Sequence, residues 1–255
     1  MAPRAMLCLV WLFAAVANAQ PVTVLKIVAQ DNSVPKFMLT SAGTIGFCVD
    51  AMRAIERVNS KLRFEGEDQS EPTARIESRL TAGTLDVACG LARNEARLAR
   101  ATFLEPALFQ ARYAVAVRAD DPVDVTTLDD IRKLGPDGVI LGVQSLSVMA
   151  NLAREGGLIV DDASITPEAN LKKLLLGRGR FFLFRSPGIQ AAIREAGLVG
   201  KVRVLPATLY TTKLYMLASK HLSRDSVEQL EQAIAELDRR GELARIYAKW
   251  RELDK

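Results

Sequence analysis

Residues 80–106 read LTAGTLDVACGLARNEARLARATFLEP, and after Gly90 they carry three arginines able to bind an anion, Arg93, Arg97 and Arg100. A guanidinium can fork onto a carboxylate with two parallel hydrogen bonds. Just ahead of them Leu85, Val87, Ala88 and Cys89 are apolar or small, so residues 85–89 are expected to form a short buried strand that Gly90 breaks. A strand running through a glycine turn into a helix start is a common place for a small ligand in an α/β sheet. The loop offers free backbone N–H groups there, and the helix dipole favours an anion.

The elements that must position these arginines alternate between strand and helix. Residues 22–29 are rich in β-branched side chains and predict a first strand, with a turn over 31–35. Val49, Met52, Ile55 and Val58 form a helical stripe over 47–58, where Asp50 suits the positive end of the dipole. Residues 62–64 predict a strand, and 73–82 a helix with Ile76 and Leu80 inward and Gly83 at its stop. Further on, 113–118 and 138–144 predict strands, with Thr126 or Thr127 capping a short helix between them. A helix through Val148, Leu152 and Ala153 follows Ser145-Leu146-Ser147. Thr166-Pro167 opens the next helix with a cap and a proline at the first helical position. Residues 180–184 (RFFLF) predict a buried strand, 187–196 a helix, and 202–205 and 213–218 strands. The chain closes on an amphipathic helix over 223–240 and a second one through Leu243, Ile246, Tyr247 and Trp250.

The 255 residues are 49% hydrophobic, enough for one large core or two smaller ones. Residues 1–19 read as an export signal: Arg4, an apolar run over 5–16, then the small-x-small site Ala17-Asn18-Ala19. The run is too short to span a bilayer, and Cys8 lacks the small residues of a lipid-attachment site, so the expectation is a soluble exported chain beginning at Gln20. The formal charge of +4, lowered by one when Arg4 is removed, is mild. No basic run is interleaved with aromatics, which argues against nucleic acid. His221 is the one histidine; no metal site and no cofactor are expected. Export leaves Cys48 and Cys89, either two buried thiols or, in an oxidising compartment, a disulfide.

The order of these motifs resembles the periplasmic solute-binding proteins of polar amino-acid ABC transporters, family 3 of the bacterial extracellular solute-binding proteins. That family has a strand ending in Asp-Val, here Asp86-Val87, then an arginine six residues before a phenylalanine and nine before a proline, here Arg97, Phe103 and Pro106. Gly46-Phe47-Cys48-Val49-Asp50 resembles its G-F-x-V-D, and GELARIYAKW over 241–250 resembles its ending. Ser33-Val34-Pro35, with Arg75-Ile76, is most similar to the glutamate/aspartate-binding branch. The resemblance implies an α/β fold of the type II periplasmic binding protein kind, two α/β lobes joined by two hinge strands. Lobe one would hold residues 22–115 plus 212–255, lobe two 116–211. It also implies proximity of Cys48, at the start of the first helix, to Cys89, which favours the disulfide. It implies a periplasmic location, a monomer, and a membrane permease of an ABC transporter as partner.

In that family an arginine takes the ligand's α-carboxylate, Ser/Thr groups upstream assist it, and an acidic residue of lobe two takes the α-ammonium. Arg97 matches the first. The Ser/Thr positions are Gly90 and Ala92 here, and the acidic position is Arg185. Ser147 stands at a threonine that would cap a helix against the ligand, Gln30 replaces an arginine ahead of Ser33, and Arg75 is either a ligand contact or a solvated helix charge. Arg185 either points to solvent or repels an ammonium and, with Arg97 and with Arg75 or Arg93 nearby, holds an anion from both lobes. The expected ligand is therefore a small anionic solute such as an organic acid, with an amino acid as the alternative. Two other functions remain open. One is a periplasmic accessory or sensory protein with an altered site. The other is a prephenate-type dehydratase, which would need a general acid among Asp31, Glu95 and Glu105.

Overall fold

The computed structural model describes residues 22–143, 152, 157–186 and 188–251. The expected signal over 1–19, and Ser147 with most of the helix expected after it, lie outside these residues.

In chain order the first lobe builds β1 (Thr23–Lys26), β2 (Ala29–Gln30), a hairpin of β3 (Met38–Thr40) and β4 (Gly43–Ile45), α1 (Phe47–Val58), β5 (Leu62–Glu65), β6 (Ser70–Glu71), α2 (Thr73–Thr81), β7 (Val87–Ala92), α3 (Glu95–Arg100) and β8 (Ala101–Phe103). β9 (Phe109–Arg118) leads into α4 (Leu128–Lys133), β10 (Ile140–Val143), β11 (Val160–Ser164), α5 (Pro167–Leu175), β12 (Phe181–Ser186), α6 (Ile189–Glu195) and β13 (Val202–Val204). β14 (Tyr210–Ser219) returns, and α7 (Arg224–Arg239) and α8 (Glu242–Arg251) close the first lobe.

An eight-stranded sheet runs β11–β10–β12–β9–β14–β7, with β13 paired to β9 and β8 to β14. The two ten-residue strands β9 and β14 pair antiparallel where they cross between lobes, from Tyr210 opposite Tyr113 to Leu214 opposite Phe109. β9 also pairs with β12 and β13 in the second lobe, and β14 with β7 and β8 in the first. The cores divide accordingly. One gathers Val115, Ile140, Leu171, Phe181 and Phe182 in the second lobe; in the first, one gathers Leu25, Phe47, Met52, Ile55, Leu230 and Ile234 and another Ile76, Leu80, Leu85, Phe103 and Leu217.

Local chemistry explains most boundaries. Thr127 makes a capping box with Asp130, Thr166 caps α5 ahead of Pro167, and Ser223 caps α7. Asp50 in the first turn of α1 accepts from Trp250 Nε1 (2.8 Å) and Lys249 Nζ (2.7 Å), which ties α8 down. Two expectations change. The strand expected over 85–89 runs from Val87 through Gly90 to Ala92, because Gly90 (φ +73°) is the extra residue of a bulge between the partners of Tyr215 and Met216. The strand expected over 22–29 divides into β1 and β2, which pair with β5 and β6.

Asp121, three residues past the end of β9, takes both Nε and Nη2 of Arg180 at 2.8 Å. That fork, aided by Val123 N–H and opposed by burial, holds its carboxyl down to about 2. A depressed acid stabilises the fold above its usual value of 3.8 and loses that contribution as pH falls through 2. Asp121→Asn should therefore cost about 2 kcal/mol at neutral pH and flatten the stability loss between about pH 4 and 2. Urea unfolding across that range checks this; parallel curves for variant and parent would show that the fork contributes nothing.

Candidate functional site

Arg97 enters the site through a helix start. Asn94 caps α3 by accepting from Arg97 N (2.8 Å), which fixes Arg97 in the first turn. Its side chain is 7% exposed; Nε and Nη2 donate to Glu77 Oε1 (2.9 and 2.8 Å), and Nη1 donates to Ala92 O (2.8 Å). Three of its five N–H groups are thereby used, and Glu77 offsets its charge.

The second component is the turn after β2. Ser33 Oγ donates to Gln30 O (2.5 Å), and the Lys36 N–H donates to Ser33 O (2.7 Å) around a cis Val34–Pro35 bond. Lys36 is buried. Its Nζ donates to Gln30 Oε1 and to Gly90 O (2.9 Å), while Gln30 Nε2 donates to Thr73 Oγ1 (2.5 Å). Two glycines make this placement possible. A Cβ on Gly90 would lie 2.6 Å from Lys36 Cδ, and one on Gly46 would lie 2.2 Å from Lys36 O. Burial first, then the charges of Arg185 and Arg97, push the Lys36 ammonium well below its usual 10.5.

The third component comes from the other lobe. Three neighbouring strands bring Arg185 (β12), Tyr113 (β9) and Tyr210 (β14) into register. Arg185 is buried, stacks 5.0 Å from the Phe184 ring centroid, and donates from Nη2 to Asn32 O (2.8 Å) across the lobes. Asn32 adopts a left-handed conformation, φ +50°, that asparagine tolerates. Arg185 Nε is buried with no acceptor among the described residues. Burial raises the Tyr113 hydroxyl against the opposing effect of Arg185. A cavity of about 260 Å³ opens beside this seam, between Asn32 and Val34 on one side and Thr166, Phe184 and Gly188 on the other.

Of the residues expected at a site, the structure brings Gln30, Ser33, Gly90, Ala92, Arg97 and Arg185 together. Arg185 is buried rather than directed to solvent. Arg75 is not brought in: its side chain is 71% exposed, beside Glu71, because Thr73 and Glu77, one turn apart, occupy the inward face of α2. Arg93 pairs with Glu105 (2.5 Å) and lies over the rings of Phe103 and Tyr215, away from the cluster. Glu95 is exposed on α3, and Asp31 is half-buried at the first turn. Sequence reasoning missed Lys36, Glu77 and Tyr113. A lone lysine between Pro35 and Phe37 was the available signal for Lys36, and the four-residue spacing from Thr73 for Glu77. Cys48 and Cys89 form a disulfide directly beside Gly90. Among the described residues no group of three or more His, Cys, Asp or Glu could hold a metal ion, and no helix is long and apolar enough to cross a membrane.

The model of the bacterial extracellular solute-binding proteins, family 3, matches residues 25–252. No curated protein matches the chain. Among solved structures, the chain resembles a histidine kinase sensor domain with similarity to periplasmic binding proteins (TM-score 0.71, 22% identity, covering 90% of this chain and 96% of that one). It also resembles the substrate-binding protein of an amino acid ABC transporter (TM-score 0.68, 16% identity, 89% and 99%). A third is an ancestral amino acid-binding protein described as a precursor of cyclohexadienyl dehydratase (TM-score 0.67, 18% identity, 89% and 95%). At these identities the likeness is one of fold.

Proposed function

The chain belongs to the bacterial extracellular solute-binding proteins, family 3, on the two-lobed type II periplasmic binding protein fold, and from that premise we propose that it captures a small organic anion between its lobes. The lobes are residues 22–115 plus 212–255 and residues 116–211. A monomer of the periplasm would deliver the ligand to the membrane permease of an ABC transporter.

One observation carries the reading. Lys36, Arg97 and Arg185 are buried close enough for both arginines to act on the lysine, and among the described residues only Arg97 has a carboxylate partner. An unpaired buried charge is costly, and a buried donor such as Arg185 Nε left without an acceptor costs roughly 1–3 kcal/mol. A carboxylate between the lobes would offset both. An ammonium would meet two uncompensated cations, so an organic acid is favoured over a zwitterionic amino acid.

Thermal melting against matched organic and amino acids tests this. A ligand at a hundred times its dissociation constant adds about 2.7 kcal/mol to stability. Shifts only with acids lacking an amino group are expected; shifts only with amino acids would overturn the reading. A second reading has its own support. Lys36 and Arg97 already find protein acceptors, which favours an accessory or sensory protein whose partner is another protein, and no shift with any small molecule would point there.

A further inference from the structure

Resting on the anion-capture reading, we propose that Lys36 acts as a resident amine that excludes amino-group-bearing ligands, so that the cleft accepts carboxylic acids and rejects their amino-acid counterparts.

Four carbonyl oxygens face the cation cluster, and each already receives a resident cation. Gln30 Oε1 and Gly90 O accept from Lys36, Ala92 O accepts from Arg97, and Asn32 O accepts from Arg185. The one carboxylate on these cations, Glu77, accepts twice from Arg97. Among the described residues the cluster therefore offers surplus donors, namely Arg185 Nε and the two N–H groups of Arg97 that bond neither Glu77 nor Ala92 O, while each of its carbonyls already receives one resident donor. A ligand made of acceptors fits. A ligand ammonium brings three donors and a positive charge to a place where each of these carbonyls already receives a cationic group and the one carboxylate, Glu77, is spent on Arg97.

Lys36 produces most of this asymmetry. It takes two of the four carbonyls, and its stem lies over Gly90, where even a methyl group would be 2.6 Å from Cδ. Its N–H groups occupy those carbonyls whether it is protonated or not. A bound carboxylate favours its protonated form, since the other ionisable groups acting on it, Arg185 and Arg97, are cations. Removing Lys36 would free Gln30 Oε1 and Gly90 O, open the volume above Gly90, and delete one charge. Those are an amino group's three requirements.

The test uses acid and amino-acid pairs that differ only at the α-amino group: succinate with aspartate, glutarate with glutamate, propionate with alanine. Calorimetry on the mature protein, on Lys36→Met and on Lys36→Gln gives the affinity ratio within each pair, which is insensitive to a uniform loss of anion affinity. Lys36→Gln keeps a donor for Gly90 O and serves if Lys36→Met does not fold. The wild type should favour the acid of at least one pair by roughly a hundredfold, the scale of a like-charge contact, and either variant should narrow or invert that ratio. A wild type that favours the acid while both variants keep the ratio overturns the role of Lys36 and leaves anion capture standing. A wild type that binds the amino member as tightly, or binds no member of any pair, overturns both.

Discussion

Arg97→Ala is expected to weaken binding of the proposed organic-acid ligand by two to three orders of magnitude, about 3–4 kcal/mol, as calorimetry would show. Arg97 is nearly buried, fixed by the Asn94 cap, and braced by Glu77 and Ala92 O, so the two N–H groups without a partner among the described residues are held in place before a ligand arrives. The same substitution strips Glu77 of its partner and should cost roughly 1–3 kcal/mol of stability. Binding and folding effects therefore have to be separated. Adding Glu77→Gln to Arg97→Ala removes the orphaned carboxylate, so stability should recover while affinity does not. Arg97→Lys keeps the charge without the fork and should fall between the two. Unchanged affinity in Arg97→Ala would sink the proposed site.

Removing the Cys48–Cys89 disulfide should have the largest effect on stability. The bond spans a sequence separation of 41 and joins the first turn of α1 to the middle of β7. Loop-closure entropy for a segment of this length corresponds to about 4 kcal/mol. In a domain of this size that lowers the melting midpoint by on the order of 10 °C. The comparison is scanning calorimetry of the parent with Cys48→Ser/Cys89→Ser, in oxidising buffer and with dithiothreitol. Reduction should bring the parent down to the variant. The bond also lies between the anchors of Lys36: the Cys48 N–H donates to Lys36 O (3.0 Å), and Gly90, whose carbonyl receives Lys36 Nζ, follows Cys89. A midpoint that does not respond to reduction would mean that packing of α1 on β7 suffices alone.

What the chain declared locally it declared well, because the cause was local. The stripe of Val49, Met52, Ile55 and Val58 marked α1 with both ends, and Thr166-Pro167 marked the start of α5, since capping and amphipathic spacing act within a few residues. The order of Asp86-Val87, Arg97, Phe103 and Pro106 carried the family, and with it the two-lobed fold and the nearness of Cys48 to Cys89. The strand end was misjudged at Gly90, because a bulge is decided by the register of the facing strand β14. The site's electrostatics were hidden for the same reason. Lys36 reaches Gly90 across 54 positions, Arg97 reaches Glu77 across 20, and Arg185 reaches Asn32 across 153. A side chain's type is written in the sequence. Whether its charge is buried, paired or left waiting for a ligand depends on which distant segments the fold packs against it. That is why Arg97 was legible beforehand, whereas the lysine beside it became visible only in three dimensions.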